Sequence, residues 1–147
     1  MELKRVVVTG LGALTPLGKT TQETWDGMVN GVSGANMITH FDASKFKTQF
    51  ACELKGYDPK DYFDRKEVRK YDRYAQYAII AADQAIADAG LDLEKIDLDK
   101  AGVIWGSGIG GLSTFEKEIM AFTEGDGTPR FNPFFIPKMI ADIAAGH

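Results

Sequence analysis

The stretch VIWGSGIGGL, residues 103–112, carries the densest chemical signal in the chain. Gly106, Gly108 and Gly111 satisfy the pattern G-x-G-x-x-G between an apolar run and a helix-like segment. Glycines so spaced let backbone N–H groups close on a pyrophosphate at a helix N-terminus. The same chemistry needs a further strand and an acidic residue about 20 positions on, to hold a ribose. Here that distance reaches Glu124 and Asp126 within the turn-like TEGDGTPRF, and prolines follow at 129, 133 and 137. The βαβ unit is incomplete, so a dinucleotide site is not expected. A second loop, ALTPLGKT (13–20), ends in Gly18-Lys19-Thr20 as a Walker loop does. Ala13 stands where that loop needs glycine, and Pro16 removes a backbone donor. The other use of such glycines is conformational: left-handed backbone angles and close backbone approach. Ile109, an apolar side chain set among them, could then line an apolar pocket, and could move.

The second candidate is charged. DRKEVRKYDRY holds Arg65, Lys66, Arg69, Lys70 and Arg73 within nine positions. Lys66, Lys70 and Arg73 recur at helical spacing and are expected on one face, with Arg69 beside it. Asp64, Glu67 and Asp72 are expected to offset them in part through local ion pairs. The functional alternative is docking of an acidic partner, steered by a positive face on an otherwise acidic protein.

Composition narrows the classes. The 147 residues are 44% hydrophobic and 26% charged, with a net charge of −4. These values suit one globular domain, and the acidic balance argues against nucleic-acid binding. No apolar run approaches the ~18 residues of a membrane span, and no signal-peptide layout is present, so a cytoplasmic protein is expected. The single Cys52 excludes an intrachain disulfide and reads as a small buried apolar residue. His40 and His147 stand too far apart in sequence to imply a metal site.

The elements that must position these residues follow from periodicity. LKRVVVTG (3–10) and AGVIW (101–105) read as buried strands. A short strand is expected around 48–54. Thr20 with Glu23 fits a capping box opening a helix that Gly31 stops. The longest helix is expected over 66–89, ended by Gly90, with an alanine-rich stripe that lets a neighbouring element approach closely. Leu112, Phe115, Ile119 and Phe122 give another helix, and a proline-rich loop leads to a last helix with Pro137 in its first turn. Alternating strands and helices imply an α/β fold. IPKMIADIAAGH reads as a helix still in progress, and about three strands are few for such a sheet. The expectation is that residues 1–147 are the front portion of a longer protein.

Several segments together resemble one family: RVVVTGLGALTPLG, GVSG, HFD, DRKEVRKYDRYAQYA, GSGIGG, NPFFIP and AAGH, in that order along the chain. The family is the β-ketoacyl-acyl carrier protein synthases, and the elongating type, synthase II, is nearest. GSGIGG separates it from synthase I, which tends toward glycine where Ile109 stands. The resemblance implies a thiolase-like, layered αβαβα fold built from two similar halves, of which this chain is the N-terminal part, and a homodimer. It implies condensation of an acyl thioester with malonyl-acyl carrier protein, with no resident cofactor because substrates ride on the phosphopantetheine of acyl carrier protein. The family's Cys-His-His set falls downstream of AAGH, so it is expected beyond His147. Cys52, His40 and His147 match none of it, and this chain alone is expected to be inactive. Ile109 matches the pocket gate. Phe134 and Phe135 match the dimer contact near the neighbouring subunit's acyl pocket, and one of the two is expected to reach the acyl chain there. Lys66, Arg69 and Lys70 match the carrier-docking residues, and Arg130 is expected to join them. The alternatives are a non-catalytic chain-length factor, which keeps the fold without the cysteine, and a polyketide ketosynthase.

Overall fold

A computed structural model describes residues 3–147. The chain forms two compact units. One runs to Tyr57 and takes in Ala81–Leu91; the other comprises Asp58–Ile80 and Asp92–His147. No helix among the described residues is long and apolar enough to cross a membrane.

In the first unit, helix α1 covers Thr21–Val29. The Thr20 side chain accepts from the Glu23 N–H at 3.1 Å, as a capping threonine should. Glu23 reaches back one residue further than expected and accepts from the Lys19 N–H at 2.6 Å. Gly31, at φ +64°, ends the helix. Its N–H donates to the Met28 carbonyl while that of Val32 donates to Gly27, the paired bonds of a Schellman stop. Thr15 and Gly18 exchange backbone hydrogen bonds at 2.8 and 3.2 Å. The Walker-like loop is therefore a tight turn closed on itself. Strands β1 (Asn36–Met37) and β2 (Phe50–Ala51) pair antiparallel, with Asn36 opposite Ala51. β2 falls inside the strand expected over 48–54. Cys52 follows it and is exposed, which corrects the buried reading: two-residue strands give the segment no inner face.

The longest helix differs from expectation. Instead of one helix over 66–89 there are two, α2 (Arg65–Lys70) and α3 (Arg73–Asp88). The break falls at Tyr71, whose backbone turns extended at φ −105°, ψ 137°. Arg73 consequently starts a different helix from Lys66 and Lys70. The C-terminal half of α3 behaves as its alanines predict. A Cβ on Gly10 would lie 2.2 Å from the Ala85 carbonyl, and one on Gly12 would lie 1.9 Å from that of Ala81. The TGLG backbone thus rests directly on the helix. The Leu11 N–H donates to Asp88 at 2.8 Å and the Ala13 N–H to Gln84 at 3.1 Å.

In the second unit, α4 spans Leu112–Thr123 and α5 spans Phe135–Met139, with short 3-10 turns at Pro59–Asp61 and Leu98–Lys100. Ala75, Ala78, Ile79 and Ile80 on α3 are buried here. The last helix stops at Met139 instead of running on through 147. Two carbonyls at its end are engaged elsewhere: that of Met139 accepts from the Gly111 N–H at 3.4 Å, and that of Ile140, the residue after the helix, accepts from the Tyr74 hydroxyl.

The two expected buried strands are also corrected. Residues 3–10 and 101–105 join no ladder among the described residues. Val6 is 88% exposed and Ile104 100%. Buried parallel strands require neighbours on both edges and cover on both faces, and the described residues supply neither.

Candidate functional site

Every residue singled out as a functional candidate falls in the second unit. The basic helix is built by its own acids. Asp64 caps α2 by accepting from the Lys66 N–H at 2.7 Å and the Glu67 N–H at 2.8 Å. Glu67 returns a carboxylate to the Asp64 N–H at 3.0 Å, completing a capping box. Asp72, just past the helix, accepts from the Thr114 hydroxyl. All three carboxylates thus serve backbone or hydroxyl donors. Among the described residues Arg65, Lys66, Arg69 and Lys70 are exposed and make no salt bridge; the expected offset by local acids survives only as the longer-range attraction of Lys66 and Lys70 to Asp64. The signal was present in the sequence, since D-x-x-E ahead of a helix is a capping pattern.

Tertiary contacts fix where α2 stops. The Tyr71 ring packs edge-on against His147 with centroids 4.8 Å apart, and its hydroxyl meets the His147 Nδ1 at 2.6 Å. Tyr71 also approaches Phe63 at 6.4 Å. Burial pushes the phenols of Tyr71 and Tyr74 up.

The glycine loop follows a different logic from its pattern. Gly106 and Gly108 have open space where a Cβ would stand. The demanding positions are Gly110 and Gly111. Gly110 adopts φ +80°, and its N–H donates to the Ser107 hydroxyl at 3.1 Å. A non-glycine residue in that region costs about 1–2 kcal/mol. A Cβ on Gly111 would sit 2.0 Å from the Lys138 carbonyl. The loop is therefore clamped at its C-terminal end, against α5, and open at its N-terminal end. Ile109 lies at the boundary, 66% exposed. Gly110, which the pattern does not count, is the residue sequence reasoning missed.

The phenylalanines separate. Phe135 stacks on Phe115 at 6.3 Å and on Phe131 at 5.6 Å, and Phe131 meets Phe122 at 5.7 Å. This aromatic row joins α4 to the proline-rich loop. Phe134 is outside it and caps α5, its N–H donating to Asn132 at 2.9 Å. Arg130 pairs with Asp126 at 2.9 Å, so its guanidinium is partnered where those of α2 are not.

Comparison with known proteins decides the family. The family model described as beta-ketoacyl synthase, N-terminal domain, matches residues 3–147. This chain belongs to the β-ketoacyl synthase family. It is 44% identical over 97% of its length to a 3-oxoacyl-[acyl-carrier-protein] synthase 2 of Staphylococcus aureus (strain COL). It is also 44% identical, over 99% of its length, to the protein of that name in Synechocystis. A β-ketoacyl synthase crystal structure from Burkholderia phymatum superimposes on 98% of the chain with a TM-score of 0.75 at 26% identity, covering 36% of that structure. The fold is thus that of the ketosynthases, as expected. The chain spans 34 and 35% of the length of the two curated relatives.

The capping box makes a pH prediction. Chiefly the Glu67 N–H, with help from the Lys66 N–H and the charges of Lys66 and Lys70, holds the Asp64 carboxyl below its ordinary value of 3.8. A lowered folded value means the cap contributes fully above 3.8 and is lost only as pH falls through the lower value. The Glu67 amide resonance should titrate with a midpoint below 3.8; a midpoint at or above it contradicts the cap.

Proposed function

We propose that this chain supplies the carrier-docking helix and the acyl-pocket wall of a cytoplasmic 3-oxoacyl-[acyl-carrier-protein] synthase of fatty acid biosynthesis. The observation that carries the reading is the unpaired basic face of α2 in a member of the β-ketoacyl synthase family. Lys66, Arg69 and Lys70 make no salt bridge among the described residues, and Asp64 offsets Lys66 and Lys70 only at longer range, which suits an acidic carrier protein. Arg130, already held by Asp126, would contribute less.

In the proposed reaction a cysteine thiolate beyond His147 attacks the acyl-carrier thioester and expels the carrier thiolate. Malonyl-acyl carrier protein then loses carbon dioxide. The resulting carbanion attacks the enzyme thioester, forms the carbon–carbon bond and releases the enzyme thiolate. The product is a 3-oxoacyl chain on the carrier, two carbons longer. No resident cofactor enters. Developing oxyanions need histidine or backbone N–H donors, which this reading also assigns to the part of the protein beyond His147.

Two features support a longer protein. Covering a Val or Ile side chain is worth about 1.5–3 kcal/mol, and Val6, Val7, Val8, Val103 and Ile104 forgo it among the described residues. The segments that carry them also lack ladder partners. Further strands would cover both. Ile109 acts as the wall of the acyl pocket. The aromatic row around Phe135, together with Phe134, would serve the homodimer contact near the neighbouring subunit's acyl pocket.

Charge reversal tests the docking. In the full-length enzyme, Lys66→Glu with Arg69→Glu should raise KM for acyl carrier protein on the order of tenfold or more. Alkylation of the reactive thiol by a small reagent should not change. An unaltered KM refutes the assignment. Ile109→Phe should depress use of long acyl chains more than short ones; equal loss across lengths would reduce Ile109 to a packing residue.

A further inference from the structure

A tethered substrate imposes a geometric demand. The acyl group hangs from its carrier on an arm of fixed length. The surface where the carrier docks and the pocket where the acyl group reacts must therefore keep a fixed separation. This demand rests on the docking reading above, and it raises the question of what joins α2 to the glycine loop.

A side-chain hydrogen bond ties the two regions. Thr114 is the third residue of α4, and the glycine loop runs straight into that helix. Its hydroxyl donates to the Asp72 carboxylate, 42 positions earlier in the chain. Asp72 lies two residues past the end of α2. Thr114 is half-buried, and the loop between it and Ile109 has little slack. Gly110 is bonded to Ser107, the Leu112 N–H donates to the Gly110 carbonyl at 2.9 Å, and Gly111 is pressed against α5. A displacement of α4's first turn would thus be felt at Ile109. The same helix reaches the phenylalanine loop, because Glu118 accepts from the Asn132 N–H at 2.9 Å.

We propose that the Thr114–Asp72 hydrogen bond is a strut that fixes the glycine loop relative to the carrier-docking helix. Thr114 is a positioning residue for substrates delivered on the carrier. It touches neither the carrier nor the acyl chain.

The test uses the full-length enzyme and one acyl group in two forms, carrier-borne and as a small-thiol ester that needs no docking. Thr114→Val removes the hydroxyl and keeps the shape. It should leave the Kd for acyl carrier protein within about twofold and the small-thiol rate unchanged. It should lower kcat for the carrier-borne substrate on the order of tenfold. Thr114→Ser should restore it, and Asp72→Asn should reproduce the split in smaller measure. The unchanged small-thiol rate also certifies that the variant is folded. A carrier-borne kcat equal to wild type in Thr114→Val overturns the strut, as does an equal fall with both substrates. A wild-type enzyme that uses both substrates alike overturns the docking reading itself, and the strut with it.

Discussion

The carboxylates around α2 are the constraint on which the site depends. Asp64, Glu67 and Asp72 lie among five cations, and each binds an uncharged donor instead. The outcome follows from what each group would otherwise lose. A helix start leaves backbone N–H groups without intrahelical partners, and a side chain one turn away satisfies them at little entropic cost. An exposed ion pair must immobilise two long side chains for a screened attraction. With the acids so engaged, the helix starts at Arg65, stops at Lys70, is tied to α4, and presents its cations to solvent. One set of hydrogen bonds therefore gives both the element's boundaries and its charge.

The glycine loop shows the complementary constraint, which is steric. Backbone at Gly110 and Gly111 passes so close to α5 that no side chain fits. Contact at that end and openness at Gly106 and Gly108 leave Ile109 between a clamped and an unhindered segment. A movable wall needs this combination: a fixed hinge side and no obstruction on the other. The aromatic row of Phe115, Phe135, Phe131 and Phe122 then braces α4 from the far side. The loop, the helix and the phenylalanines are packed together as connected parts.

Local chemistry was legible in the sequence, and tertiary imposition was not. The Thr20 cap and the Gly31 and Gly90 stops rest on residues within one helical turn, and they appear where the sequence expects them. The alanine stripe of α3 correctly implied a close backbone neighbour, realised by Gly10 and Gly12. The break at Tyr71–Asp72 interrupts a helical pattern that continues through it. Thr114, Ile140 and His147 hold the residues around it, lying 42, 66 and 76 positions from their partners. No local window contains them. The early end of α5 has the same origin. The β-branched runs at 3–10 and 101–105 carry strand character, but a ladder belongs to a pair of segments, and no single run can supply it. For the site, residue types led to Ile109 and the basic helix. The glycine pattern drew attention to the right loop and the wrong glycines, because spacing does not record which φ is positive.

The central claim is that α2 offers a cationic face free of salt bridges to an acidic carrier protein. The most direct measurement is the Kd of the full-length enzyme for acyl carrier protein as ionic strength is raised from about 0.05 to about 0.5 M, a range over which the Debye length falls well below 10 Å. The account predicts that affinity weakens by tenfold or more across that range. An affinity indifferent to salt would contradict it.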